Sequence, residues 1–234
     1  MNATTHFHPH EESHFRQSDL IRDIVIGMAD GLTVPFALAA GLSGVVDTNG
    51  IIITAGIAEI CAGSIAMGLG GYLAGRTEIE HYHSELNREY REVKEFYEKE
   101  KEEVREVFAA YGLSRETQNK VADELAQNED KWVEFMMRYE LGLEKPDEQR
   151  AKKSAFNIGV AYIVGGIIPL AGYIFTDHPH TGLISSSLIT IVCLFVFGYY
   201  KSKMTGQPPL SGALKTTAIG VIAAAAAYFI ASLF

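Results

Sequence analysis

Five stretches of almost uninterrupted apolar residues run along the chain, at about 21–46, 50–75, 154–176, 182–200 and 212–233. Each is close to the ~20 residues that an α-helix needs to cross the hydrocarbon core of a bilayer. A strongly polar stretch, 77–150, separates the second from the third. The pattern predicts an all-α protein with five membrane-spanning helices and a three-helix hydrophilic domain inserted between spans 2 and 3.

The hydrophilic stretch has its own helix signals. Strong helix formers without Pro or Gly follow span 2, so we expect that helix to continue over 76–110. Gly112 and then Ser114 are typical of a helix stop followed by an N-cap. Two further helices are expected at about 115–127 and 130–143.

The predicted organisation has four parts. They are a flexible tail (1–17), spans 1 and 2 (18–76), the hydrophilic domain (77–150) and spans 3 to 5 (151–234). The first residues lack a basic region followed by an apolar one, so we expect no cleavable signal peptide. The tail contains His6, His8, His10 and His14, which we interpret as part of a flexible segment rather than a metal site.

Charge refines this picture, because a mean hydropathy of only +0.06 hides two different populations of residues. The segment 77–150 holds 21 acidic and 12 basic residues, so it carries the −9 formal charge of the whole chain. All 20 basic residues lie near the span ends that the positive-inside rule assigns to the cytosol. The N-terminus and the acidic domain are therefore expected in the cytosol, with the C-terminus on the opposite side.

Asp30 is the most informative residue in the spans. A rise of ~1.5 Å per residue places it roughly 13 Å inside span 1 from the cytosolic end. An ionised carboxylate at such depth costs about 2.5–3.5 kcal/mol, so intramembrane acids usually hold an ion, a proton or a partner. Transport is the first hypothesis, and a satisfied aspartate at a kink made by Gly31 and Pro35 is the alternative.

Span 2 offers two residues that extend this hypothesis. Met67 lies roughly 12 Å from the cytosolic end, level with Asp30, and Glu59 lies about 12 Å further along and 80° around the helix. Carboxylates with a thioether favour a first-row transition metal over magnesium or calcium. Spans 4 and 5 hold no ionisable residue at mid-depth, and spans 3 to 5 are interpreted as scaffold. Cys61 and Cys193 are interpreted as small packing residues.

The acidic domain concentrates carboxylates on one helix face. Four glutamates lie within an arc of about 80° on the helix, and the basic residues fall outside that arc. The four glutamates are Glu89, Glu92, Glu100 and Glu103. Stacked like charges repel unless a cation neutralises them. Met136, Met137 and Glu140 add thioethers and a carboxylate on a later helix. The alternative is a charged helix whose arc arose by chance, with the methionines in the core.

Two overlapping Glu-x-x-His pairs, Glu78/His81 and Glu80/His83, have the spacing that di-iron carboxylate proteins use. In those proteins the pairs come from facing helices, whereas here both lie on one helix. We therefore give them little weight. No nucleotide-binding loop is present and nothing indicates nucleic-acid binding.

Three long segments resemble the vacuolar iron transporter family. They read RDIVIGMADGLTVPFALAAGLSG, TAGIAEICAGSIAMGLGGYLAGRTE and FMMRYELGLEKPD, and the resemblance extends from about Ser18 to Phe234. It implies a five-helix fold, a homodimer through spans 1 and 2, and exchange of cytosolic Fe²⁺ for protons. It also implies a multi-pass protein of the vacuolar membrane in a eukaryote, or of the cytoplasmic membrane in a bacterium, and no enzymatic activity.

The resemblance also assigns roles to individual positions. In the membrane, Asp30 and Met67 match metal-site residues and Glu59 matches a further pathway carboxylate, while Asp19 stands where a glutamate is usual near the cytosolic entrance. In the acidic domain, the residues that match metal ligands are Glu89, Glu92, Glu100, Glu103, Met136, Met137 and Glu140.

The hypothesis is that the acidic domain collects Fe²⁺, which then passes Asp19, Asp30 with Met67, and Glu59. Because a bound cation disfavours the protonated form of a carboxylate, metal arrival is expected to expel a proton. One alternative is a membrane-anchored iron-storage or di-iron oxidase protein. Another is a transporter whose main cargo is Mn²⁺, Zn²⁺ or Co²⁺, since ligand types do not rank these ions.

Overall fold

The computed structural model describes residues 14–233, in which it contains eight α-helices and no strand. They are α1 (His14–Ser43), α2 (Asn49–Glu95), α3 (Tyr97–Ala110), α4 (Arg115–Leu125), α5 (Glu129–Tyr139), α6 (Arg150–Ile174), α7 (Pro179–Met204) and α8 (Pro209–Ala231). Helices α1, α2, α6, α7 and α8 are long and apolar enough to cross a membrane. The prediction of an all-α protein with five spans is confirmed.

The chain forms two compact units. The acidic unit comprises Leu73–Ala151, and the membrane unit comprises the residues before and after it. The boundaries fall inside α2 and inside the first turn of α6. Helix α1 begins at His14, within the segment predicted as a tail. The prediction for residues 1–13 lies outside the described residues.

Glycines allow α6 to pack closely against α1 and α2 in the membrane unit. A methyl group at Gly27 or Gly31 of α1 would overlap with the backbone of α6, and one at Gly63 of α2 would overlap with the Tyr162 side chain. The predicted small-residue pair Ser64/Gly68 also faces α6, since a Cβ at Gly68 would lie 3.0 Å from the carbonyl oxygen of Ala155. Small residues thus replace side-chain interdigitation with direct backbone contact.

Helices α7 and α8 pack along each other, and both contact α1. Small residues of α1 allow a close approach to α8: a Cβ at Gly41 would lie 3.2 Å from the carbonyl oxygen of Ala227, and one at Gly44 would lie 3.3 Å from the ring of Tyr228. Helix α6 is continuous from Arg150 to Ile174, with Pro169 inside it.

The acidic unit has a core where α2, α3 and α5 meet. Its fully buried residues include Val93, Val104, Trp132 and Val133. The ends of the short helices follow local rules. Gly112 adopts a φ of +79° after α3, a left-handed conformation that favours glycine.

Side-chain oxygens cap the next two helices. The Ser114 side chain accepts a hydrogen bond from the Thr117 amide at the start of α4, as its N-cap position predicts. Asn128 caps α5 in the same way by accepting from the Lys131 amide. Ion pairs from Lys101 to Asp123 and from Glu102 to Arg115 join α3 to α4.

The prediction of a continuous helix over 76–110 is wrong. Helix α2 ends at Glu95, Phe96 leaves the helical region with φ −122° and ψ 36°, and α3 begins at Tyr97. No Pro or Gly marks the break. Its physical reason is the core, because the bend lets Val104 of α3 bury beside Val93 of α2.

Candidate metal site

The bend at Phe96 creates a cluster of three carboxylates, the carboxylate triad, formed by Glu89, Glu100 and Glu140. On a straight helix, eleven residues would separate Glu89 from Glu100 by about 16 Å along the axis. In the structure one carboxylate oxygen from each member of the triad lies within 4.8 Å of those of the other two. Glu89 comes from α2, Glu100 from α3, and Glu140 caps the C-terminus of α5.

Burial makes this arrangement costly without a cation. Glu89 is 2% exposed and Glu100 is 1% exposed, whereas Glu140 lies at the surface. The Oε2 atoms of Glu89 and Glu100 are buried and accept no hydrogen bond from any residue within 14–233. A buried polar atom without a partner costs roughly 1–3 kcal/mol, and more when it is charged. Oxygen ligands converging from three helices suit a hard or borderline divalent cation.

The same geometry changes proton affinity. Burial raises the pKa of Glu89 to about 7, and the charge of Glu140 adds to the effect. Burial also raises the pKa of Glu100 to about 8, with Glu103 as the strongest contributing neighbour, and raises the pKa of Glu140. The triad therefore holds protons near neutral pH, and a cation that binds there must displace them.

The other two glutamates of the predicted arc have closer basic partners than Glu100, whose Oε1 lies 3.9 Å from Lys99 Nζ. Glu92 accepts from Arg88 Nε at 3.0 Å, and Glu103 accepts from Lys99 Nζ at 2.7 Å. Both bases lie outside the arc, as predicted, but their long side chains reach it one turn away. We therefore separate an inner triad from two outer glutamates.

The two thioethers lie in the core. Met136 is 0% exposed and Met137 is 1% exposed, and both pack in the cluster that contains Val93, Val104 and Trp132. Both follow Trp132 on α5, the helix that ends at Glu140. Their role as metal ligands stays a prediction.

The Glu-x-x-His pairs do not converge. Glu78 and His81 are exposed, Glu80 pairs with Arg76 at 2.7 Å, and His83 Nε2 lies 3.1 Å from Glu148 Oε1. Among the described residues, none of these side chains belongs to the carboxylate triad. The geometry gives the di-iron interpretation no support.

The predicted residues in the membrane unit are distributed over α1 and α2. Asp30 and Met67 are half-buried. Glu59 is also half-buried, and its Oε1 accepts a hydrogen bond from the Tyr162 hydroxyl. Asp19 lies 3.5 Å from Arg22. The equal depth of Asp30 and Met67 stays a prediction.

A family model describes nearly the whole chain. The model of the VIT family matches residues 21–232, which include both units and every predicted site residue except Asp19. The chain belongs to the VIT family.

Relatives within the VIT family align along most of their length. The chain is 50% identical over 222 residues to vacuolar iron transporter 1 of Arabidopsis thaliana, an alignment that covers 95% of this chain and 89% of that protein. It is 49% identical over 222 residues to vacuolar iron transporter 1 of Tulipa gesneriana, covering 95% and 90%. Protein CCC1 of Saccharomyces cerevisiae is 39% identical over 225 residues, covering 92% and 69%.

Two residues of this VIT-family chain escaped the sequence analysis. Tyr162 lies in the middle of α6, which was interpreted as scaffold, yet it hydrogen-bonds a predicted site residue. Asp23 is 1% exposed and accepts hydrogen bonds from Ser154 at 3.1 Å and Asn157 at 3.3 Å. Asp23 lies close to the end of span 1, where acidic residues are common, so its burial had no signal. Tyr162 could have been found as a lone hydroxyl at mid-span.

Proposed function

We propose that the protein is a proton-coupled transporter that moves Fe²⁺ out of the cytosol across a membrane, the vacuolar membrane if the source is a eukaryote. Membership of the VIT family and relatives named as vacuolar iron transporters support iron as the cargo. The observation that carries the proposal is the carboxylate triad, with two buried oxygens that no described residue satisfies. This chemistry binds a divalent cation and releases protons.

The two units have different roles in this proposal. The acidic unit, placed in the cytosol by the distribution of basic residues, collects Fe²⁺ and raises its local concentration. The ion then enters the membrane unit past Asp19, reaches Asp30 and Met67, and leaves past Glu59. Proton release at the intramembrane carboxylates couples metal movement to a proton gradient. Mn²⁺, Zn²⁺ or Co²⁺ can occupy the same ligands.

The proposal includes a homodimer through α1 and α2. Helix α2 supports the homodimer, because only 22% of its most apolar stretch is buried within one chain. Its large exposed side chains include Ile57 at 53% and Ile65 at 72%, with the exposed Cys61 between them. A second copy on this face would bring two sets of pathway residues together.

The test is uptake by proteoliposomes that contain an Fe²⁺ indicator and a pH indicator. We expect the wild-type protein to carry Fe²⁺ inward while protons leave, and Asp30→Asn to abolish both signals. Asp47→Asn, which alters an exposed aspartate after α1, is the matched control and keeps both. Undiminished flux in Asp30→Asn contradicts the pathway. Fe²⁺ uptake without proton movement contradicts the coupling alone, and competition with Mn²⁺, Zn²⁺ and Co²⁺ ranks the cargo.

A further inference from the structure

Tyr162 occupies a tightly defined position between α1 and α2. It is 2% exposed. Its backbone carbonyl packs against Gly31, the residue that follows Asp30, and its hydroxyl end packs against Gly63, one turn after Glu59. A side chain at either glycine would overlap with Tyr162. Helices α1 and α2 therefore each have a glycine where they contact Tyr162.

The Tyr162 hydroxyl distinguishes the two oxygens of Glu59. It donates a hydrogen bond to Oε1. The other oxygen, Oε2, is buried and accepts no hydrogen bond from the part of the chain that the structure describes. The backbone of the same residue packs against Gly31, the neighbour of Asp30, so Tyr162 contacts the helices that carry both predicted pathway carboxylates.

A neutral donor has a specific advantage at this place. It fixes one carboxylate oxygen without adding positive charge, whereas a lysine or arginine would compete with a cation for Glu59. The remaining oxygen keeps a desolvation cost that a cation or a proton would remove. One oxygen is thus held in place and the other is available to a ligand.

We propose that Tyr162 is a positioning residue of the transport pathway, which holds Oε1 of Glu59 so that Oε2 remains open to a cation arriving from Asp30. The inference rests on the proposed transport function. Tyr162 acts through Glu59 and makes no contact with the cation itself.

A double-mutant cycle tests this role. Fe²⁺ uptake is measured in proteoliposomes for the wild type, Tyr162→Phe, Glu59→Gln and the double variant. We expect Tyr162→Phe to lower the maximal rate about tenfold, the effect of one hydrogen bond to a charged group, with KM changed less than about twofold because initial binding at Asp30 is intact. In the double variant the rate should equal that of Glu59→Gln, since Tyr162 then has no carboxylate to position.

The matched control is Tyr173→Phe. Tyr173 lies on the same helix, is 0% exposed, and its hydroxyl lies 2.8 Å from Ser43 Oγ instead of a carboxylate. We expect its loss to leave the uptake rate unchanged in both the wild-type and the Glu59→Gln backgrounds. Glu59→Asp also tests the positioning of the carboxylate, because it keeps the charge and withdraws the carboxylate from Tyr162 by one methylene group. It should reproduce the loss seen in Tyr162→Phe.

Failure of the positioning role of Tyr162 and failure of the transport function give different results. A wild-type rate in Tyr162→Phe, or a further tenfold loss when that change is added to Glu59→Gln, overturns the positioning role. If Tyr162→Phe yields no folded protein, a wild-type rate in Glu59→Asp overturns it instead. Absence of Fe²⁺ uptake by the wild-type protein overturns the transport function and is recognised before any variant is compared.

Discussion

The acids of the membrane unit and those of the acidic unit are stabilised in opposite ways. In the membrane unit, Glu59 accepts from a tyrosine hydroxyl, and Asp23 accepts from Ser154 and Asn157, all on α6. In the acidic unit, Glu89 and Glu100 face each other and Glu140, with one buried oxygen each that no described residue satisfies. Neutral donors from a neighbouring helix hold Glu59 and Asp23. Glu89 and Glu100 lie mainly among like charges, with Lys99 Nζ at 3.9 Å from Glu100 Oε1.

This difference in stabilisation follows from the task of each region, which is passage of a cation in one and its retention in the other. A carboxylate held by a neutral donor keeps its place with or without an ion, so it can accept an ion and release it. Carboxylates that converge are mutually repulsive until an ion arrives, so they favour retention. The comparison indicates a pathway that is preformed and a collecting site that the metal itself stabilises.

The largest expected effect is on the stability of the membrane unit, where α6 packs against α1. Gly31→Ala would place a methyl group against the carbonyl oxygen of Tyr162, a backbone atom that cannot move without shifting α6. Because overpacking typically costs about 1–3 kcal/mol and backbone contacts relax little, we expect most of the folded protein to be lost. Yield of monodisperse protein and its thermal midpoint measure this.

Gly70→Ala is the control for that change. Gly70 also lies on a membrane-spanning helix, but a Cβ there meets no described atom within 4 Å. Alanine has a better helix propensity by about 1 kcal/mol, so stability should stay the same or rise. Equal yields of the two variants would show that α6 is not rigidly held against α1, and the preformed pathway would have to be abandoned.

A second, smaller effect separates the inner triad from the outer glutamates. Glu100→Gln removes a buried, converging charge, and we expect divalent-metal affinity of the acidic unit to fall about 10- to 100-fold, the loss of one charge-assisted interaction. Glu92→Gln should change affinity less than about threefold, because Glu92 already pairs with Arg88. Calorimetric titration of the full chain with Mn²⁺ or Zn²⁺ measures both. Equal losses would mean that all four glutamates of the arc are ligands.

The smallest expected effect is a pH dependence of stability without metal. Glu89 and Glu100 have pKa values of about 7 and about 8, above the ordinary 4.5. These two groups in the folded unit therefore bind protons that the unfolded chain releases, so the stability they contribute is fully present below about pH 4.5 and is lost as pH rises through 7 to 8. Glu102, whose pKa is lowered to about 2, acts only below this window.

Trp132 makes this effect measurable, because it is the only tryptophan of the chain and lies in the core of the acidic unit. With chelator present, we expect its fluorescence melting midpoint to fall by roughly 5 °C between pH 5 and pH 8. Added Mn²⁺ should reverse the trend. A midpoint that rises with pH in chelator would contradict the repulsion that distinguishes the acidic unit from the membrane unit.

Much of the fold followed from local signals in the sequence. Apolar run length predicted the five spans, and Gly112 with Ser114 predicted the turn between α3 and α4. The bend at Phe96 was missed because it has no local cause. It exists since Val93 and Val104 share a core, and a contact between residues eleven positions apart overrides helix propensity.

The site was predictable as a set of residues but not as an arrangement. Helical spacing identified the glutamates on one face, yet it could not divide them into a triad and two outer members. That division depends on where Arg88 and Lys99 reach and on the bend. Tyr162 was missed because a tyrosine in an apolar span is ordinary packing until its neighbour is known to be Glu59.

The bend at Phe96 also sets how quickly the triad can assemble. Eleven residues separate Glu89 from Glu100, and a loop of about ten residues closes in roughly 10–100 ns at a small entropic cost. Glu140 joins from a helix further along the chain, so its arrival depends on formation of the core around Trp132. In the unfolded chain the first two carboxylates can therefore approach each other long before the unit folds, and the third completes the site only in the folded unit.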